Sequence, residues 1–209
     1  MKTCEIFKNY PELLPIRAEI DKAVEMLVEC YRAGGKVLIC GNGGSAADSE
    51  HIAGELLKGF LLRRPLTSEE KDAFAGIEGG EKIACTLQRG IGAIPLPSIS
   101  GVCTAYANDC DPELVFAQEV FALAKENDVL IGLTTSGNSK NVVAAIKTAK
   151  AIGIRSIAMT GEKDSESSKY ATLTLRAPSC ETYRVQEYHL PIYHYFCAEV
   201  ERILFGDGE

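Results

Sequence analysis

The chain has 209 residues, which suits one domain with a substantial core. Its 29 acidic and 22 basic side chains leave a formal charge of -7, which argues against the broad basic surface needed to grip nucleic acid without regard to sequence. Hydrophobic residues make up 46% and charged residues 24%, both globular values.

Lys58, Arg63 and Arg64 form the one tight basic cluster, and a local basic patch there stays open. The first residues contain no apolar stretch of signal-peptide length, and runs such as 129–133 are too short to cross a bilayer. The expectation is a cytoplasmic protein without nucleic-acid or membrane partners. The 8 cysteines are scattered with no CxxC pair, and Cys40, Cys85 and Cys103 lie in or beside apolar runs, so all are expected as reduced thiols.

In chain order, Ile16, Ile20, Val24, Leu27, Val28 and Tyr31 recur at helical spacing and predict a helix over 15–32, stopped by Gly34 and Gly35. KVLIC (36–40) reads as a buried strand, GNGGS (41–45) as a turn and 46–60 as a helix. Residues 61–97 have the least regular pattern, with Thr67 or Ser68 able to cap a short helix. A strand near 93–98, a helix around 101–108 and a helix over 116–125 follow. Then come the strand 128–134, the loop 135–139, a helix over 141–152, strands at 155–161 and 171–176, and a long final helix over 183–205. Strands alternating with helices predict an α/β three-layer sandwich with a central parallel sheet, read as a single domain spanning 1–209.

Two segments repeat the order strand, small-residue loop, helix: GNGGS after 36–40 and TSGNS after 128–134. In a parallel sheet such loops lie at the carboxyl ends of the strands, where helix amides and the helix dipole hold anions. Thr134, Thr135, Ser136 and Ser139 add hydroxyls suited to a phosphate. The second loop has no lysine, against a P-loop, and GNGGSA does not match the dinucleotide fingerprint. Ordinary capped turns would use similar residues. A monophosphate is the anion that suits the pair of loops best.

The chain has 3 histidines. His51 and Glu55 are four apart, on one helix face, and suit a shared metal or proton path as well as a plain surface pair. Gln186 and His194 are eight apart, about 80° around an ideal helix, and Pro191 between them predicts a local kink.

Together GNGGSAADSEHIAGEL (41–56), AND (107–109), TTSGNS (134–139) and RVQEYHLPIYH (184–194) resemble the sugar isomerase (SIS) family, and within it the bacterial phosphoheptose isomerases, over about 18–200. The resemblance implies a flavodoxin-like SIS fold and interconversion of sedoheptulose 7-phosphate with a heptose 7-phosphate through an enediol. It implies Asn42, Gly43, Gly44, Asn108 and Asp109 at the sugar, and the phosphate on Thr134, Thr135, Ser136 and Ser139. The implied zinc or other divalent-metal ligands are His51, Glu55, Gln186 and His194, with Glu55 also the general base and His194 the general acid. Gln186 and Glu55 touch substrate as well. His189 matches a family histidine outside the metal set. A homotetramer with sites at subunit interfaces is also implied.

Two features depart from the family pattern: the segment 61–97, which is longer than its counterpart, and Tyr183, where relatives often carry a smaller or acidic residue. Some SIS proteins instead tether the replication initiator DnaA and lack the glutamate and last histidine, which stand here as Glu55 and His194. A SIS isomerase for another sugar phosphate is the remaining alternative.

Overall fold

A computed structural model describes residues 5–206. Five parallel strands, β1 (Val37–Cys40), β2 (Ala93–Pro95), β3 (Val129–Leu133), β4 (Arg155–Thr160) and β5 (Leu173–Arg176), form one sheet in the order β2-β1-β3-β4-β5. β1 and β3 are buried at every residue, as apolar runs covered on both faces must be. Alternate strand residues feed two cores. Val37, Ile39, Val129, Ile131 and Ile157 pack on one face with α2 (Arg17–Arg32), α3 (Gly44–Leu57) and α10 (Thr182–Phe205). Leu38, Cys40, Leu130 and Ala158 face α7 (Val115–Leu123) and α8 (Lys140–Ala151). This is the expected three-layer arrangement.

Each expected strand is present, trimmed at its ends. The first long helix begins at Arg17, because Pro11–Ile16, with proline at both 11 and 15, takes the tighter 3-10 form after the short α1 (Ile6–Asn9). The helix expected over 101–108 is α6 (Ser100–Asp109), and the last helix is continuous through Pro191. The polar loop after β4 holds a helix unseen in the pattern, α9 (Glu166–Tyr170), which Ser165 starts by accepting from the Ser168 amide.

Residues 65–88 leave the sheet as an excursion carrying α4 (Ser68–Asp72) and α5 (Gly80–Thr86). Its neck is closed by a Pro65–Gln88 bridge and by the Arg89 amide donating to the Arg64 carbonyl at 2.7 Å. Thr67 caps α4 in a reciprocal box with Glu70, and no residue of α4 is buried.

At the root of the excursion, Arg64 and Glu201 form an ion pair of 2.7 Å with both side chains fully buried. Glu201 also accepts from the Phe60, Leu61 and Leu62 amides at 2.7, 2.7 and 2.9 Å, and Arg64 donates to the Leu56 and Glu55 carbonyls at 2.8 and 3.2 Å. The basic cluster read at 58–64 is divided: Arg64 is internal, while Lys58, paired with Glu55, and Arg63 are exposed. The seven described cysteines are all free; Cys4 lies outside the described residues.

Glu119 of α7 is buried in the second core. One carboxyl oxygen has no partner, and the other accepts a long 3.6 Å contact from Cys103 Sγ. Burial raises its carboxyl to about 7. The folded state then holds a proton that the unfolded state releases above about 4.5, so stability falls as pH rises from there through 7. Glu119→Gln is expected to abolish this decline: unfolding free energies from urea denaturation should match wild type near pH 5 and exceed it at pH 8 by about 3 kcal/mol. An equal difference at both pH values would show that the carboxyl is not titrating there.

Candidate functional site

The order β2-β1-β3 makes the β1/β3 boundary the point where the chain reverses its direction of winding, and ligands bind there at the carboxyl ends of the strands. Both small-residue loops lie at this boundary and are tied together. Asn42 and Asn141 exchange two amide hydrogen bonds of 2.9 Å each. Asn141 was not singled out in the sequence, where it looks like an ordinary first-turn residue of α8.

The second loop is organised for an anion. The Thr134 and Ser139 hydroxyls are 2.9 Å apart, and Ser139, at the N-cap of α8, makes no side-chain cap. The Lys140 and Asn141 amides have no intramolecular acceptor, and the first turn carries no acidic side chain. Such amides, at the positive end of a twelve-residue helix, favour an anion. Gly137 at the apex has φ of 70°, and a Cβ there would lie 2.2 Å from Ser165 Oγ, so only glycine fits. Thr135 accepts from the Gly161 amide at 3.0 Å, and exposed Ser136 accepts from the Asn138 amide at 3.1 Å.

The first loop is more closed. Ser45, Ala46 and Ala47 amides bond back to Asn42 and Gly43 carbonyls, so Gly43 and Gly44 hold the free amides. A Cβ on Gly44 would lie 2.6 Å from Gln186 Nε2, so the glycine makes room for that amide.

α3 and α10 run side by side in the same direction. Gln186 meets Gly44, Tyr193 and His194 meet His51, and Glu201 meets the turn after α3. In the middle of this pair, His51 Nε2 lies 3.2 Å from Glu55 Oε1 and 3.4 Å from His194 Nε2. Tyr193 bonds His51 Nδ1 at 2.9 Å and Asp48 Oδ1 at 3.2 Å, while Lys58 Nζ is 3.3 Å from Glu55 Oε2. The Phe60 ring stacks at a tilt on His194, centroids 5.5 Å apart. Burial first, then the neighbouring His51, holds His194 below the ordinary imidazole range. The neutral imidazole is the form that ligates metals.

The expected metal set is only partly assembled. Two imidazole nitrogens and a carboxylate suit a divalent ion, and the 3.2 and 3.4 Å separations match the tetrahedron edge, roughly 3.3 Å, for bonds of about 2.0–2.1 Å. Glu55 and His194 are not within ion-pair distance of each other, and among the described residues no group of three or more His, Cys, Asp or Glu forms a metal cage. Gln186 lies against Gly44 and makes no hydrogen bond to the other three.

The remaining candidates divide. Asn108 and Asp109 are exposed at the end of α6 and bonded to each other at 2.9 Å. The Lys140–Glu113 ion pair (2.6 Å) draws the following turn toward the start of α8. His189 is fully buried, 3.4 Å from the Thr160 carbonyl, and burial drives it down to about 4, which makes it a neutral core side chain. Tyr183 is exposed and bonds Glu181. Asp48 and Tyr193 went unread in the sequence, where one resembles a surface charge and the other an apolar-face aromatic, and Lys58 is legible there only as part of a basic cluster.

An open α/β sheet with an anion-ready loop at its switch point and a His–Glu–His group on neighbouring helices defines a phosphosugar-type fold. Residues 15–83 and 102–193 match SIS domain families, and the chain belongs to the SIS domain family. Within it, the chain is 40% identical to a phosphoheptose isomerase from Clostridium acetobutylicum, over 90% of this chain and 84% of that one. A second from Akkermansia muciniphila is 32% identical over 96% and 94%. Among solved structures, a phosphoheptose isomerase from Neisseria gonorrhoeae superposes with a TM-score of 0.73 at 30% identity, covering 96% of this chain and 93% of that one.

Proposed function

We propose that this chain is a phosphoheptose isomerase, interconverting sedoheptulose 7-phosphate and D-glycero-D-manno-heptose 7-phosphate. The observation that carries the reading is the convergence of Glu55 and His194 on His51 from two adjacent helices, in a chain whose relatives bear that name.

Moving a proton between C1 and C2 needs a base over the carbon and an acid at the carbonyl oxygen. Glu55 is the base: its side chain is 14% exposed, open to substrate yet held by His51 and Lys58. His194, stacked on Phe60, is the acid on the other side of the sugar. Thr134, Thr135, Ser136, Ser139 and the free α8 amides take the phosphate. Asn42, Gly43, Gly44, Gln186, Asn108 and Asp109 line the sugar. Binding energy from the phosphate, remote from the reacting carbons, orients them.

His51, Glu55, Gln186 and His194 would hold one zinc or similar ion per subunit. That ion, when bound, would supply Lewis-acid polarisation of the carbonyl oxygen. The same reading takes the chain as one SIS domain with an N-terminal helical extension and an insertion at 61–97, assembled as a cytoplasmic homotetramer that takes neither nucleic acid nor membrane as partner. Among the described residues no helix is long and apolar enough to cross a membrane.

The test is conversion of sedoheptulose 7-phosphate by the purified protein, with added zinc and with a chelator. Conversion that the chelator suppresses supports the reading. Metal binding without conversion would direct the search to another sugar phosphate, with the excursion as the cause. Neither binding nor conversion would leave a binding module of the DnaA-tethering kind.

A further inference from the structure

We infer that Tyr193 is a positioning residue for this site, linking Asp48 to His51 so that the Nε2 edge of His51 is presented to Glu55 and His194. The inference rests on the isomerase reading and goes beyond it, since Tyr193 and Asp48 belong to none of its catalytic, metal or substrate groups.

The argument is an account of donors and acceptors. A tyrosine hydroxyl has one proton to give, and an ionised carboxylate can only accept. The Tyr193 hydroxyl donates to Asp48 Oδ1 at 3.2 Å, so at 2.9 Å from His51 Nδ1 its oxygen can only accept, and Nδ1 must carry the hydrogen. In the neutral ring Nε2 is then left with its lone pair. That nitrogen lies 3.2 Å from Glu55 Oε1 and 3.4 Å from His194 Nε2, so its lone pair faces a carboxylate oxygen across a space suited to a cation or proton. Outer hydrogen bonds of this kind fix which nitrogen of a ligating histidine is available and how its ring is turned.

The packing supports a positioning role. Tyr193 is fully buried, and its ring meets His51 and His194 edge-on at centroid distances of 5.3 and 5.0 Å. It stands next to His194 on α10, while Asp48 and His51 are three apart on α3. One hydroxyl thus links the helix bearing the base to the helix bearing the acid.

Tyr193→Phe removes the hydroxyl and keeps the ring, so the fold should survive, which thermal unfolding will verify. Zinc affinity of the metal-stripped full-length protein, measured by competition with a chromophoric chelator, should weaken by about 10–100-fold. In the zinc-loaded protein kcat should fall by a similar factor with KM little changed. Imidazole nitrogen NMR should show the His51 hydrogen on Nδ1 in the wild type and a mixture of tautomers in Tyr193→Phe. Asp48→Asn is the second variant: its amide can donate to the tyrosine oxygen and reverse the chain, so it should shift the hydrogen to Nε2 and weaken zinc to a comparable degree.

Wild-type zinc affinity and an unchanged His51 tautomer in both variants would overturn the inference. A wild-type protein that neither binds zinc nor turns over would instead remove the isomerase reading, and the NMR comparison would still decide the Asp48–Tyr193–His51 link.

Discussion

Glu55→Gln should reduce kcat for sedoheptulose 7-phosphate by about 10²–10⁴-fold, the usual contribution of a positioned general base, and change KM far less. Glutamine keeps the size of the side chain and can still approach His51 and Lys58, so the site should stay assembled. What it loses is the ability to take a proton from carbon. The phosphate loop, built from β3 and α8, shares no hydrogen bond with Glu55, so substrate capture there should persist. Steady-state kinetics with zinc in excess is the appropriate measurement, because the substitution also weakens one expected metal ligand. Turnover at the wild-type rate would move the base elsewhere, and a large rise in KM with kcat intact would make Glu55 a binding residue only.

The second large effect is on stability. Arg64→Met should lower unfolding free energy by about 3–5 kcal/mol, because it leaves the Glu201 carboxylate buried without its cation. Glu201 has no exposed side-chain surface and would retain only the three amides of Phe60, Leu61 and Leu62. For a chain of this size the loss corresponds to a fall of roughly 10 °C in Tm. Arg64→Met with Glu201→Gln removes both charges and should recover part of it, since a glutamine oxygen can still accept from the turn. Urea denaturation of the three proteins measures this. A single variant within about 0.5 kcal/mol of wild type would mean that water reaches the pair. The same two side chains hold the end of α3, through the Glu55 and Leu56 carbonyls, to the end of α10. Loss of the pair should therefore loosen the base as well.

Much of this protein was legible before any coordinates. The apolar runs at 36–40 and 128–134 could only be strands covered on both faces, and the glycine and serine loops after them could only lie at the carboxyl edge of a parallel sheet. Helical spacing placed His51 and Glu55 on one face. Those inferences need only neighbours within a few residues, where chain geometry is nearly rigid. The short helices α5 and α9 escaped notice because one or two turns carry too little periodicity to be read.

What only the tertiary structure decided is which distant side chains meet. Nothing in the residues around Arg64 distinguishes it from exposed Arg63, yet one is internal and the other is not, because Glu201 lies 137 positions away on α10. Asn42 finds Asn141 across the β1/β3 boundary, and Tyr193 reaches His51 and Asp48 only because α3 and α10 run parallel in contact. Gln186, placed by spacing near His194, instead rests on Gly44 one end further along that contact. Local periodicity fixes which face of a helix a residue occupies. The packing angle and offset between two helices come from the side chains of both, and they alone set which donor meets which acceptor.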